Sequence, residues 1–197
     1  MSITIKMENV IDDIIHDPYL IKYVLKYVSK RRGYNIIKKV AQINGYILQY
    51  VPDSFLTDEI KYLCISSCGL SIQFIPRDEI TEELALLALK SNIHSIEFIP
   101  EEIITDEMIK IVRDNGQFAY SLPRSKITNE MIIEDINKCG SNALAGFHYL
   151  SRFRYGEPII TQEMVLLAKE KDKEFEEEWI NKKMERLKDV IINNIED

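Results

Sequence analysis

Between residues 33 and 127 the apolar positions return at a fixed interval, each set preceded by the same polar phrase. Thr57-Asp58-Glu59-Ile60 is repeated as Thr81-Glu82-Glu83-Leu84, Thr105-Asp106-Glu107-Met108, Thr128-Asn129-Glu130-Met131 and Thr161-Gln162-Glu163-Met164. The threonines lie 24, 24, 23 and 33 residues apart. A second phrase alternates with the first: Leu48-Gln49-Tyr50-Val51-Pro52, Ile72-Gln73-Phe74-Ile75-Pro76, Ile96-Glu97-Phe98-Ile99-Pro100 and the worn Ala119-Tyr120-Ser121-Leu122-Pro123. A fixed period in this range predicts a stacked array of repeats.

Each threonine precedes acidic residues and an apolar run, the pattern of a helix N-cap with carboxylates at the positive end of the helix dipole. Three, six and seven residues after the threonine stand Ile60, Leu63, Cys64; Leu84, Leu87, Ala88; and Met108, Ile111, Val112. That spacing makes one stripe of a helix. Lys61, Tyr62, Ala85, Leu86, Ile109 and Lys110 are then expected off the stripe, on a face open to recognition. Gly45, Gly69 and Gly116 are expected to close the helices as left-handed caps. The short apolar phrase reads as a second helix ended by its proline; its Phe, Tyr and Ile also suit a strand. Tyr50, Phe74 and Phe98 share one column and are expected in the stacking core. The predicted fold class is all-α, a short solenoid of about 24-residue helix-turn-helix repeats.

The pair Thr-x-Glu-hydrophobe and Ile-Gln-Phe-Ile-Pro resembles short tandem two-helix repeats of proteins of unknown function in amoeba-infecting giant viruses and some bacteria. The resemblance spans about residues 33–127, with weaker echoes at Thr128 and Thr161. It implies a repeat fold and brings no activity with it.

Both ends depart from the pattern. Residues 1–32 read as capping helices: one from about Met7 to His16, then a restart at Asp17-Pro18 with Leu20, Tyr23, Val24, Tyr27 and Val28 on one side. Ser29-Lys30-Arg31-Arg32 forms a basic turn, either a solvated loop or a docking patch for an acidic partner or phosphate. The array itself occupies 33–160, with an aromatic and basic insertion near 146–158 carrying Phe147, Tyr149, Arg152, Phe153, Arg154 and Tyr155. Insertions in such arrays commonly map to a binding face. At Thr128 the sixth and seventh following positions are Glu134 and Asp135; either that helix rotates to bury Ile132, Ile133 and Ile136, which the cost of buried carboxylates favours, or the two carboxylates face a neighbour. Residues 161–197 read as one long amphipathic helix whose Phe175 and Trp179 cap the array, dimerise or dock a partner, with capping favoured. The three segments are expected to form one structural domain.

Charge and composition narrow the function. The net charge of −7 argues against a general nucleic-acid binder while leaving local basic patches. No apolar run approaches the roughly 20 residues needed to span a bilayer. Three cysteines, Cys64, Cys68 and Cys139, fit a reducing compartment, so a cytoplasmic location is expected, the host cell's if the chain is viral. His16, His94 and His148 have no metal-ligand spacing to one another or to cysteine. No catalytic, cofactor or metal residue is assigned and no enzyme activity is expected. The expected role is a scaffold or adaptor binding another protein, with self-association through the last helix. An RNA- or nucleotide-associated adaptor is the alternative. The residues expected to carry binding are Lys30, Arg31, Arg32, Phe147, Tyr149, Arg152, Phe153, Arg154, Tyr155 and Trp179.

Overall fold

A computed structural model describes residues 7–145 and 160–193. The protein is all-α, and no strand occurs among the described residues. By packing, the chain divides into two compact units, one through Gln117 and one from Phe118. The division falls inside the repeated region, and the N-terminal helices belong to the first unit.

In the first unit, α1 (Met7–His16) leads to a 3₁₀ turn (Pro18–Leu20), α2 (Ile21–Val24) and α3 (Lys30–Ala41). Then come α4 (Asp58–Ser67), α5 (Glu82–Ser91) and α6 (Asp106–Asp114). Six-residue 3₁₀ helices follow α3, α4 and α5, at Gly45–Tyr50, Gly69–Phe74 and Ile93–Phe98. The expected second helix of each repeat is therefore a tight 3₁₀ segment. After each proline a further 3₁₀ turn, not legible in the sequence, leads to the next threonine: Asp53–Phe55, Arg77–Glu79 and Glu101–Ile103. α4 packs between α3 and α5, and of the three longer 3₁₀ helices the middle one packs against both others.

The threonine caps form as read. Thr57, Thr81 and Thr105 accept the backbone N–H three residues on, at 3.4, 3.3 and 3.4 Å. The buried stripe is turned from the one expected. Ile60, Cys64 and Ile65, then Ala85, Ala88 and Leu89, then Met108, Ile109 and Val112 are buried, while Leu63, Leu87 and Ile111 are half-buried. Ala85 and Ile109 thus lie in the core and not on a recognition face. The cause is that each helix meets a neighbouring helix and the 3₁₀ layer at once, which widens the stripe by one column.

Aromatic rings do not form the core of the 3₁₀ layer. Leu48, Ile72 and Ile96 do, with Val51, Ile75 and Ile99 beside them. Tyr50, Phe74 and Phe98 are half-buried along its edge. One column of this layer also buries Ser71 and Ser95. Ser95 Oγ donates to the Asn92 carbonyl at 2.7 Å, whereas Ser71 Oγ has no hydrogen-bond partner among the described residues. An unpaired buried hydroxyl is a liability, so Ser71→Ala is expected to raise stability by about 1 kcal/mol in a denaturant melt. A loss of stability would show that Ser71 is paired in solution.

Two of the three glycines expected as left-handed caps are nothing of the kind. Positive φ occurs at Gly116 (77°) and Gly140 (60°). Gly45 and Gly69 open 3₁₀ helices, and a Cβ there would run into the backbone carbonyl oxygens of Cys64 and Ala88 on the following helix. Polar side chains of that following helix tie the same junctions. Ser67 Oγ donates to the Ala41 carbonyl at 2.6 Å, and Ser91 Oγ accepts from the Gly69 N–H at 2.9 Å.

The second unit holds 3₁₀ turns at Ala119–Ser121 and Arg124–Lys126, α7 (Asn129–Cys139) and α8 (Gln162–Asn193). Thr128 and Thr161 cap these helices as their counterparts do, at 3.3 Å each. Ala119, Ile132, Ile136, Ala143, Met164 and Ala168 form the core. α7 does not rotate to expel its carboxylates. Glu134 is exposed and so is Ile133, but Asp135 is buried and its Oδ2 accepts the Ala119 N–H at 2.7 Å. The carboxylate stands where Cys64, Ala88 and Val112 stand in earlier helices, and it satisfies a backbone donor there. Asp172 on α8 likewise accepts the Ser141 N–H at 2.9 Å, beside Gly140.

Beyond Asp172 every described side chain of α8 is exposed, among them Phe175 and Trp179 at 37% and 61%. These two rings therefore do not cap a core. Phe175 and Trp179 share a face of α8, and Ile180 is turned about 100° from Trp179.

Candidate functional site

Local chemistry at the start of α3 runs against the helix it begins. Ser29 Oγ accepts the Arg32 N–H at 3.4 Å, so Lys30, Arg31 and Arg32 make the first helical turn and not a loop. All three are exposed. Cations at a helix N-terminus oppose its dipole and each costs roughly 0.3–1 kcal/mol. The later helices carry Asp and Glu in that turn. Because α3 starts one turn early, Gly33 occupies the place where Thr57, Thr81 and Thr105 cap later helices. Gly33 is buried against Leu25 and Phe55. Sequences break such local rules chiefly at functional sites.

Tyrosines surround these cations in the chain. Tyr19 is 43% exposed, Tyr23 49% and Tyr27 87%. Of the expected apolar side, Leu20, Val24 and Val28 are half-buried while Tyr23 and Tyr27 are exposed, and the fully buried residue of the segment is Ile21, which that reading left out. The reason is length: α2 spans only four residues before the chain turns. Tyr19 packs edge-on against Tyr23 and against Tyr50, with ring centres 5.5 Å apart in both pairs. Lys22 Nζ sits 5.2 Å from the ring centres of both Tyr19 and Tyr50, and Lys26 Nζ 5.5 Å from that of Tyr23. The Tyr23 hydroxyl donates to Tyr19 at 3.3 Å, and this bond holds its pKa above the usual phenol value. The result is a surface of phenols packed edge-on and threaded with ammonium groups.

Other polar clusters in the first unit are internally neutralised. Lys38 is paired with Glu59, which also accepts from the Tyr34 hydroxyl at 2.6 Å. The Lys38 and Tyr34 bonds lower the Glu59 pKa, and the Glu59 bond raises that of Lys38. A groove of about 460 Å³ beside the 3₁₀ layer is lined by Leu48, Gln49, Phe74, Pro76, Lys61 and Glu79 among others. Lys61 is held by Glu79 at 2.6 Å, and Asp53 is the remaining charged residue of the lining.

A family model matches this region. Residues 34–81 fit a domain of unknown function, DUF4116. The match covers two 24-residue periods, from the second turn of α3 to the cap of α5, and includes the junction of Gly45 with α4, whereas Gly69 lies within it and the α5 carbonyl that Gly69 meets lies beyond it. It leaves out Tyr19–Arg32 and all of the second unit. No curated protein and no solved structure matches the chain.

Of the residues expected to bind, Lys30, Arg31 and Arg32 come together on one turn next to the tyrosines. Trp179 lies on the exposed part of α8. Phe147, Tyr149, Arg152, Phe153, Arg154 and Tyr155 fall outside the described residues. Sequence reading placed Lys22 and Lys26 near the basic turn but missed Tyr19, Tyr23 and Tyr27 as an exposed surface beside them; the signal was the absence of any Asp or Glu between residues 18 and 52.

Metal and thiol chemistry find little support. Among the described residues no group of three His, Cys, Asp or Glu is placed to hold a metal ion. His16 Nδ1 donates to the Asp12 carbonyl at 2.7 Å, within its own helix. Burial pushes the Cys64 thiol up to about 12, so it stays protonated and unreactive at neutral pH. No described helix is long and apolar enough to cross a membrane.

Proposed function

We propose that this protein is a non-enzymatic helical-repeat scaffold that binds another protein through the tyrosine and lysine face of Tyr19–Arg32. The observation that carries the reading is the exposure of Tyr19, Tyr23 and Tyr27 beside unpaired cations. Tyrosine and arginine are the residues that dominate protein interfaces, because they bring large rigid area and directed polar contacts. The stacked repeats supply a rigid support for such a face. The array is read as a short solenoid, and the expected location is the cytoplasm.

The test is a pulldown from native-source lysate with the intact chain and with a Tyr19→Ala, Tyr23→Ala, Tyr27→Ala variant, both treated with nuclease. Three exposed side chains are removed, so the fold should persist by circular dichroism. The expected result is a discrete protein recovered with the native chain and reduced at least about tenfold with the variant, the loss typical of a hot spot. Equal recovery by both chains would overturn the assignment of this face. Recovery abolished by nuclease would favour the nucleic-acid adaptor instead.

A further inference from the structure

We infer that the occupant of the Tyr19–Arg32 face is a second copy of this chain, docking through the acidic stretch Glu174–Trp179 of α8. The inference rests on the reading of that face as an interface and names what fills it.

The segment is rich in cations, with Asp17, which accepts the Tyr19 N–H at 3.2 Å, as the carboxylate at its start. Residues 18–52 hold seven Lys and Arg and no Asp or Glu, in a chain of net charge −7. Lys38 is neutralised by Glu59, but Lys22, Lys26, Lys30, Arg31 and Arg32 have no ion-pair partner among the described residues. Nucleic acid fits less well than carboxylates. Bases stack on open aromatic faces, and here the rings of Tyr19 and Tyr23 already have lysine ammonium groups over them and pack against each other.

α8 carries the complement. Four of the five residues from Glu174 to Glu178 are glutamates. Glu174 and Glu178 are held by Lys171 and Lys182 within the helix, whereas Glu176 and Glu177 have no ion-pair partner among the described residues. Exposed Phe175, Trp179 and Ile180 are interleaved with them. This stretch starts where burial in the core of its unit stops, and its described side chains are exposed. It is an uncovered helix that offers carboxylates and aromatic rings. The face it would meet offers cations and phenols. Opposite charges around aromatic anchors fix register and orientation. Two different surfaces meet, so the assembly is either a reciprocal two-fold pair or head-to-tail, giving a ring where the rotation closes and an open chain where it does not.

The experiment is light-scattering mass measurement of the intact chain across micromolar concentrations at low and high salt. Native protein should exceed the monomer mass at low salt and return to it at high salt. Lys30→Glu with Arg31→Glu should weaken association about tenfold or more while favouring α3, since carboxylates suit its first turn. Glu176→Lys with Glu177→Lys should do the same from the other side. An equimolar mixture of the two variants should restore the larger species. A native chain that stays monomeric, or a mixture that fails to associate, would overturn the inference, as would excess mass removed by nuclease. If the native chain is monomeric yet the tyrosine variant still loses a protein from lysate, the interface stands and only its occupant is wrong.

Discussion

Ile72→Ala is expected to lower stability by about 3 kcal/mol, within the range of 2–5 kcal/mol for truncating a buried isoleucine. Ile72 is fully buried in the middle 3₁₀ helix, between the layers contributed by Leu48 and Ile96. Removing three methyl or methylene carbons leaves a void that two neighbouring 3₁₀ segments cannot close, because each is fixed by its own helix. Phe74→Ala two residues later should cost less, although phenylalanine is larger, because that ring is half-exposed and packs edge-on against exposed Tyr46 at 6.2 Å between centres. Paired denaturant melts of the two variants decide the order. A larger loss at Phe74 would return the aromatic column to the core.

Gly69→Ala should be comparably damaging, by about 3 kcal/mol, the upper part of the usual cost of overpacking. The new methyl group would meet the Ala88 carbonyl oxygen, a backbone atom inside α5 that cannot swing aside. It would also crowd the Gly69 N–H bond to Ser91. Gly116→Ala is the control. Its φ of 77° is strained for alanine, but a methyl group there meets nothing within 4 Å, so only the left-handed penalty of roughly 1–2 kcal/mol applies. A melt in which Gly116→Ala is the worse variant would mean that α5 stands off from α4 in solution.

The contrast between these glycines shows what the sequence could and could not reveal. Thr57, Thr81, Thr105, Thr128 and Thr161 were readable as caps because capping is local: a hydroxyl and an N–H three residues apart suffice. The prolines were equally local. Gly45 and Gly69 looked like left-handed caps because the atom that requires glycine belongs to a helix about 20 residues further on. The same holds for Asp135, whose partner Ala119 is 16 residues away. Periodicity located the apolar residues but not which rings face water. Tyr50 and Phe74 repeat in register whether they line a core or an edge. At Tyr19–Arg32 the period is absent, and exposure there depended on how early α2 ends.

The measurement closest to the central claim is covalent footprinting of lysine and tyrosine in the intact chain, alone and in its captured complex. The account predicts protection on binding at Lys22, Lys26 and Lys30 and at Tyr19, Tyr23 and Tyr27, with Lys61 and Tyr62 unchanged. Unaltered reactivity across Tyr19–Arg32, with protection elsewhere on the array, would contradict it.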